Sequence, residues 1–461
     1  MRALVISTYE MGRQPFGVAS AAAWLRETGW DVTCVDVVTQ KLADAAMAAA
    51  DLVGFHLPMH TATRLASPVI RTVRARNPGA RLCAFGLYAP LNEPWLRSLG
   101  VDAIFGGEFE ADLAAWANSS FNTLRTSEAD DLRPSRTADR LRTSRRTVPR
   151  IHFLVPDRST LPPLSQYAAL QMPDGSRRTV GYTEASRGCK HLCRHCPVVP
   201  IYDGQFRIVP PEIVLADVAA QVAAGAQHIT FGDPDFFNGP THAMRIVEAL
   251  QAAHPGVTFD VTIKVEHLLR HRDLLPRLAR AGCAFVTSAV ESLDDRVLAL
   301  LDKGHTRADF IEAVEVCRRA GVTLAPTFVA FHPWLTIEGY CDLVDTIAAL
   351  DLVDHVAPIQ LAIRLLVPEG SRLLTVDEMR RHLGDFDSST LTYRWRHPDP
   401  AVDALHDAIT RIVGTRLTAD RRAVFAEISA LAHVRAGTVA ASPRPARARA
   451  TVPYLNEPWY C

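Results

Sequence analysis

Three cysteines inside eight residues constrain this chain more than any other feature. Cys189, Cys193 and Cys196 stand in the stretch "EASRGCKHLCRHCPVVP", spaced C-x3-C-x2-C. One short loop with this spacing presents three soft thiolates, and soft sulfur ligands suit iron–sulfur centres. A four-iron cluster takes four cysteines when fully ligated. Three leave one iron open to a substrate or cofactor, as catalytic metal sites commonly do. The competing reading is a zinc site built from the same cysteines with His191 or His195, although structural zinc more often comes as two separated ligand pairs.

The residues around the loop repeat strand and helix. From about residue 178 the apolar β-rich runs "TVGYTEA", "HITFGD", "TFDVTIKV", "CAFVTSAVE", "TLAPTFVAF" and "HVAPIQLAIR" alternate with helical patterns such as "PPEIVLADVAAQVAAG" and "TRADFIEAVEVCRRAG". Six strand–helix units predict a partial (β/α)6 barrel, with its chemistry at the carboxyl ends of the strands. Residues 1–118 alternate in the same way through "RALVIST", "DVTCVDV", "ADLVGFHLP", "ARLCAFG" and "VDAIFGG". This predicts a second, doubly wound parallel sheet whose ligand crevice lies outside the strand ends, at Thr8–Gly17, His56–Thr63, Gly86–Pro90 and Gly106–Glu110.

Composition narrows the classes further. The 461 residues suggest two to four domains, 48% are apolar, and 50 basic residues balance 50 acidic ones. No net field recruits nucleic acid or an anionic membrane. No apolar run is long enough to span a bilayer. No signal peptide is recognised, and the cysteines outside the cluster (Cys34, Cys83, Cys283, Cys317, Cys341) read as buried inert thiols, which predicts a reducing cytoplasm. Residues 119–150, rich in Arg, Ser and Thr, read as an exposed linker. Residues 151–385 then form the barrel with its lead-in, residues 386–436 a small helical region, and residues 437–461 a flexible tail.

The cysteine spacing, directly after a strand and an Arg-Gly pair, closely resembles the signature of the radical S-adenosylmethionine (radical SAM) enzymes. The first half resembles the cobalamin-binding-like domain found before the barrel in one class of that family. The resemblance implies a [4Fe–4S] cluster on Cys189, Cys193 and Cys196, and SAM chelated at the open iron. Cobalamin is an open alternative, because the D-x-H-x-x-G motif that supplies a lower histidine elsewhere is absent. The implied cofactor contacts are His195 in the cluster loop, Gly232, Asp233 and Asp235 in "FGDPDFF", Glu291 and Ser292 in "ES…KGHT", and Arg364. Lys264 and Glu266 read either as SAM or substrate contacts or as a salt-bridged rim. A flavodoxin- or ferredoxin-type reductant and a small-molecule substrate are the implied partners.

The ending "LNEPWYC" resembles the tail of radical SAM proteins that end in CUAEP or CCAEP, some of them makers of organoarsenicals. That resemblance gives Cys461 a catalytic role and predicts that the gene continues through a selenocysteine codon. The expected activity is reductive cleavage of SAM with transfer of a group, and the tail resemblance implies 3-amino-3-carboxypropyl transfer to an arsenic species. The alternatives are a cobalamin-dependent radical methyltransferase and a non-catalytic iron–sulfur sensor or electron carrier.

Overall fold

The computed structural model describes residues 1–119, 151–416, 420–439 and 453–455. Five strands form the first sheet: β1 (Arg2–Ser7), β2 (Asp31–Asp36), β3 (Leu52–His56), β4 (Arg81–Phe85) and β5 (Ala103–Phe105). All pair in parallel in the order β2-β1-β3-β4-β5, the doubly wound arrangement expected. Strands β3 and β4 are buried at every position, because helices cover both faces. The order reverses between β1 and β3, which puts the crevice where the sequence predicts it.

The second sheet is built from β6 (Ala169–Gln171), β7 (Arg177–Thr183), β10 (His228–Phe231), β11 (Thr258–Thr262), β12 (Cys283–Glu291), β13 (Leu324–Phe328) and β16 (Tyr454–Leu455). Its order is β13-β12-β11-β10-β7-β6-β16. A small ribbon of β8 (Ser186–Gly188) and β9 (Phe206–Ile208) frames the cysteine loop, and a hairpin of β14 (Leu383–Asp387) and β15 (Thr392–Trp395) lies near the carboxyl end. Strands β7 and β10–β13 run parallel and curl into a half-barrel around a core that includes Ile229, Phe259, Val286 and Phe328. The connecting helices carry ordinary start signals. Thr306 and Asp309, for example, form a reciprocal capping box at the head of Arg307–Arg319.

Three expectations change. The sixth strand, "HVAPIQLAIR", is absent; Pro358–Leu361 is a 3-10 turn and a single bridge joins Phe331 to Arg364. Pro358 has a fixed φ and no N–H to give a ladder, so the run ends as a turn and the half-barrel has five parallel strands. The region after 385 is not helical throughout, because the β14–β15 hairpin precedes helices Pro400–Thr415 and Arg421–Ala436. Within the expected flexible tail, Tyr454–Leu455 pairs antiparallel with β6. The linker 120–150 and Cys461 lie outside the described residues.

Candidate active site

The cysteine loop leaves β8 at the carboxyl end of β7 and stands over the mouth of the half-barrel. Its sulfurs sit in three different surroundings. Cys189 Sγ lies 3.9 Å from Asn238 Oδ1, and Cys193 Sγ lies 3.8 Å from the buried Lys264 ammonium. The Cys196 amide closes a turn on Cys193 O at 3.2 Å. Burial raises the Cys189 thiol and pushes Cys196 up to about 12. Thiols so shielded ionise only when a cation compensates, and iron supplies that charge.

Spacing separates the two readings of the loop. Among the described residues, the one set of ligand atoms gathered within 4.8 Å of one another is His191, Asp235 and His267. The three cysteines are not part of that set. Tetrahedral zinc with Zn–S near 2.3 Å would draw them to about 3.8 Å. Three soft donors on one short loop, with no disulfide among them, suit an iron–sulfur cluster.

The loop is also part of the first domain's core. Cys189, Val198, Ile201 and Tyr202 pack with Phe55, Leu57, Tyr88 and Leu91, and Cys196 lies against the same cluster. Beside it, Arg187 is ion-paired to Glu110 (2.7 Å), Glu184 (2.8 Å) and Glu108 (3.5 Å), while Tyr202 donates to Glu108 Oε1. Burial raises the Glu108 and Glu184 carboxyls, as expected where three acids share one guanidinium. The cluster loop and the crevice of the first sheet therefore face each other.

Each residue singled out in the sequence now has a place. Glu291 ends β12 in the left-handed region, φ +70°. Its Oε1 receives Lys303 Nζ at 3.3 Å and lies 3.0 Å from His195 Nε2. Burial alone would raise this carboxyl, but the Lys303 charge and His195 outweigh it and hold it at about 2. Ser292 Oγ accepts the Asp294 amide, and with Glu291, His332 and Trp334 it lines a cavity of about 260 Å3 beyond β12 and β13.

The "FGDPDFF" residues are used differently from one another. A Cβ on Gly232 would sit 1.7 Å from the Tyr182 hydroxyl, so glycine is required there by packing. Asp233 is buried and accepts from Ser186 Oγ and the Ala185 amide, joining β8 to β10; burial pushes it up to about 7. Asp235 is fully buried between His191 and His267, which outweigh its burial and hold it at about 2. Arg364 pairs with Asp403 at 2.8 Å and stacks 3.6 Å over Trp395. Its guanidinium is thus engaged by the carboxyl-terminal region. Lys264 is buried beside Cys193, 4.0 Å from the half-exposed Glu266.

Sequence reasoning passed over Lys303, His305 and His267. Lys303 and His305 stand in the quoted "KGHT", and both are buried at the mouth. Burial and the two lysines hold His305 near 4, so it is neutral at physiological pH. Their position was hard to read because the helix Asp295–Leu301 separates them from the end of β12, and only the fold returns them to the mouth. Of the crevice histidines, His56 Nδ1 is 2.6 Å from Glu10 and His60 Nε2 is 2.6 Å from Thr390 O. A Cβ on Gly17 would lie 2.2 Å from His56 Nε2, so that nitrogen abuts the backbone. Buried acceptors without partners remain near the crevice, including Ser7 Oγ and Gln14 Oε1, which suits a ligand rich in amide groups.

A half-barrel carrying a three-cysteine loop at its mouth, with a doubly wound domain packed on that loop, defines a class of iron–sulfur SAM-binding proteins. Residues 183–350, the half-barrel with its cysteine loop, match the model "Radical SAM superfamily", whose members use a [4Fe–4S] cluster and SAM. A tRNA-2-methylthio-N(6)-dimethylallyladenosine synthase of Desulfosudis oleivorans is 27% identical over 196 residues, 39% of this chain and 40% of that protein. The hopanoid C-3 methylase of Methylococcus capsulatus is 25% identical over 151 residues, 33% of this chain and 29% of its own length. The chain thus spans less than half the length of these curated relatives. Among solved structures, the cobalamin-dependent SAM radical enzyme OxsB with aqua-cobalamin bound matches 94% of this chain and 71% of its own at TM-score 0.69 and 13% identity. The methyltransferase TsrM from Kitasatospora setae, with cobalamin and a [4Fe–4S] cluster, covers 76% and 73% at TM-score 0.56 and 17% identity. These two show that the fold is shared over most of this chain.

Proposed function

We propose that this chain is a radical SAM enzyme that transfers a methyl or methylthio group to a small-molecule acceptor, with cobalamin as the second cofactor. The observation that carries the reading is the packing of the cysteine loop against the crevice of the doubly wound domain, through Cys189, Ile201, Tyr202 and Tyr88. A cluster and a corrinoid held on the two sides of that contact would share one reaction chamber. The methylase and methylthiotransferase relatives support the same direction.

Cys189, Cys193 and Cys196 would hold the cluster, which when bound supplies the electron for reductive cleavage of SAM. The protein's own part is electrostatic and steric. Lys264 and Lys303 bring two buried positive charges to the loop and the mouth, suited to an anionic cluster and to a carboxylate such as that of SAM. Glu291, ionised at any physiological pH, orients His195 and accepts from Lys303. Ribose hydroxyls are a natural further donor to such a carboxylate at a strand end. The apolar walls of the half-barrel exclude water that would quench a reactive intermediate. His56 Nε2 abuts the Gly17 backbone and His60 Nε2 is held by Thr390 O, so neither nitrogen is offered to a bound corrinoid, in line with the missing D-x-H-x-x-G motif.

A second reading rests on strand direction. β16 is antiparallel to β6 and therefore parallel to β7, so the chain passes Leu455 heading toward the end of the sheet that bears the cluster loop. Cys461, six residues on in the sequence, would then serve as a soft nucleophile holding a thiophilic acceptor such as trivalent arsenic for 3-amino-3-carboxypropyl transfer.

The deciding experiment uses anaerobically reconstituted protein with SAM and dithionite, with products separated by chromatography and the corrinoid spectrum recorded. Corrinoid binding with 5′-deoxyadenosine or S-adenosylhomocysteine supports methyl transfer. Methylthioadenosine without deoxyadenosine supports aminocarboxypropyl transfer instead. An intact cluster that cleaves no SAM overturns both in favour of an electron carrier.

A further inference from the structure

His191, Asp235 and His267 come from three separate elements. His191 lies inside the cluster loop between Cys189 and Cys193, Asp235 follows β10, and His267 is on the helix Val265–Arg270 after β11. Their ligand atoms lie within 4.8 Å of one another. Asp235 Oδ2 is 2.6 Å from His267 Nδ1 and 3.5 Å from His191 Nε2. All three atoms are buried, and apart from these ion-pair contacts with one another none of them makes a well-aligned hydrogen bond. Three converging buried polar atoms that have only one another as partners are poorly satisfied, and a shared cation would satisfy all three.

The surroundings hold the three atoms in place. Asp235 Oδ1 is occupied by the amides of Phe237 (3.3 Å) and Lys264 (3.4 Å), which aims Oδ2 at the imidazoles. On its far side the His191 ring presents Nδ1 toward Glu266 Oε2 at 3.7 Å. A carboxylate behind a histidine is the usual support for a metal-bound imidazole. Tetrahedral ligation at about 2.0–2.1 Å places donor atoms about 3.3 Å apart, which the observed 2.6 and 3.5 Å bracket.

We propose that His191 Nε2, Asp235 Oδ2 and His267 Nδ1 form a second metal site, for a divalent first-row transition ion, immediately beside the iron–sulfur cluster. Two histidines and one carboxylate leave at least one coordination position open, the arrangement of catalytic zinc and of non-haem iron(II) sites. The open position takes an oxygen or sulfur donor of the substrate and fixes it next to the cluster loop. The site stands independently of which group the enzyme transfers.

Zinc(II) is the probe, because it does not interfere with iron analysis. Cluster-loaded full-length protein is equilibrated anaerobically with zinc and freed of excess by gel filtration. Iron, sulfide and zinc are then counted, and the reduced cluster is recorded by electron paramagnetic resonance. One zinc per chain is expected above four irons, with imidazole and oxygen but no sulfur in its X-ray absorption shell. His267→Ala and Asp235→Asn should each weaken zinc retention at least tenfold while the iron count and cluster signal persist. His267→Gln provides the same comparison if His267→Ala melts early. No zinc above four irons in the wild type, equal zinc in the variants, or sulfur in the zinc shell overturns the proposal.

Discussion

His195 Nε2 lies 3.0 Å from Glu291 Oε1, so a residue of the cluster loop is tied directly to the last residue of β12. The contact sets the loop against the barrel mouth, and its ionisation state follows from its neighbours.

Glu291 titrates at about 2 in the fold, against an ordinary 4.5. A carboxyl lowered by folding adds stability that is fully present above its unfolded value and lost as pH falls through its folded value. Wild-type stability should therefore fall between pH 4.5 and about 2, and this part of the fall should vanish in Glu291→Gln. Near neutral pH the variant should be less stable by about 3–5 kcal/mol, because Lys303 is left buried without its partner. Urea unfolding across this range is the measurement, and a parallel acid profile for the two proteins would sink the idea.

Lys264 and Lys303 bring positive charge to the cysteine loop, and positive charge favours the reduced, more negative cluster. Lys264→Met should lower the cluster's reduction potential by on the order of tens of millivolts. Redox titration followed by electron paramagnetic resonance reads this directly. An unchanged or raised potential contradicts it.

Gly232→Ala tests packing under the mouth. The added methyl would overlap Tyr182, so overpacking should cost about 1–3 kcal/mol and lower the melting temperature. Tyr182→Leu in the same chain should recover part of the loss. If the single variant melts like wild type, the glycine is not needed for space.

Arg187→Met removes the guanidinium that pairs with Glu108, Glu110 and Glu184. The loss should be about 3–5 kcal/mol, since buried carboxylates are left uncompensated. Denaturant unfolding at neutral pH should show it, and it should shrink under mildly acid conditions, where the raised Glu108 and Glu184 carboxyls protonate first.

Much of the fold was legible because burial on both sheet faces writes continuous apolar runs, as in "LVGFH" and "RLCAF". The sixth barrel strand misled because "HVAPIQLAIR" has a strand's composition, and one proline overrides it. The three loop cysteines could be picked out because their spacing puts them on one short loop. Asp233 and Asp235 follow the strand that the sequence assigns to them, whereas the strand expected to end at Arg364 is a turn, and a sequence cannot say which partner a side chain will find. Asp233 finds Ser186, Asp235 two histidines, and Arg364 a distant aspartate. His267 was missed because its ligand-like company comes from residues 32 and 76 positions away.

The hydrophobic core that Cys189, Ile201 and Tyr202 share with the first sheet has a consequence for modularity. Neither half of this chain is a detachable cassette. A barrel expressed without residues 1–118 would present the back of its own cysteine loop to water, and iron loading would become as poor as the fold. Recombination between relatives should accordingly succeed when the crossover keeps the doubly wound domain with its native cysteine loop, and fail when it separates them. In such a protein the inheritance unit is the contact, and the domain boundary is only where the chain happens to be easy to cut.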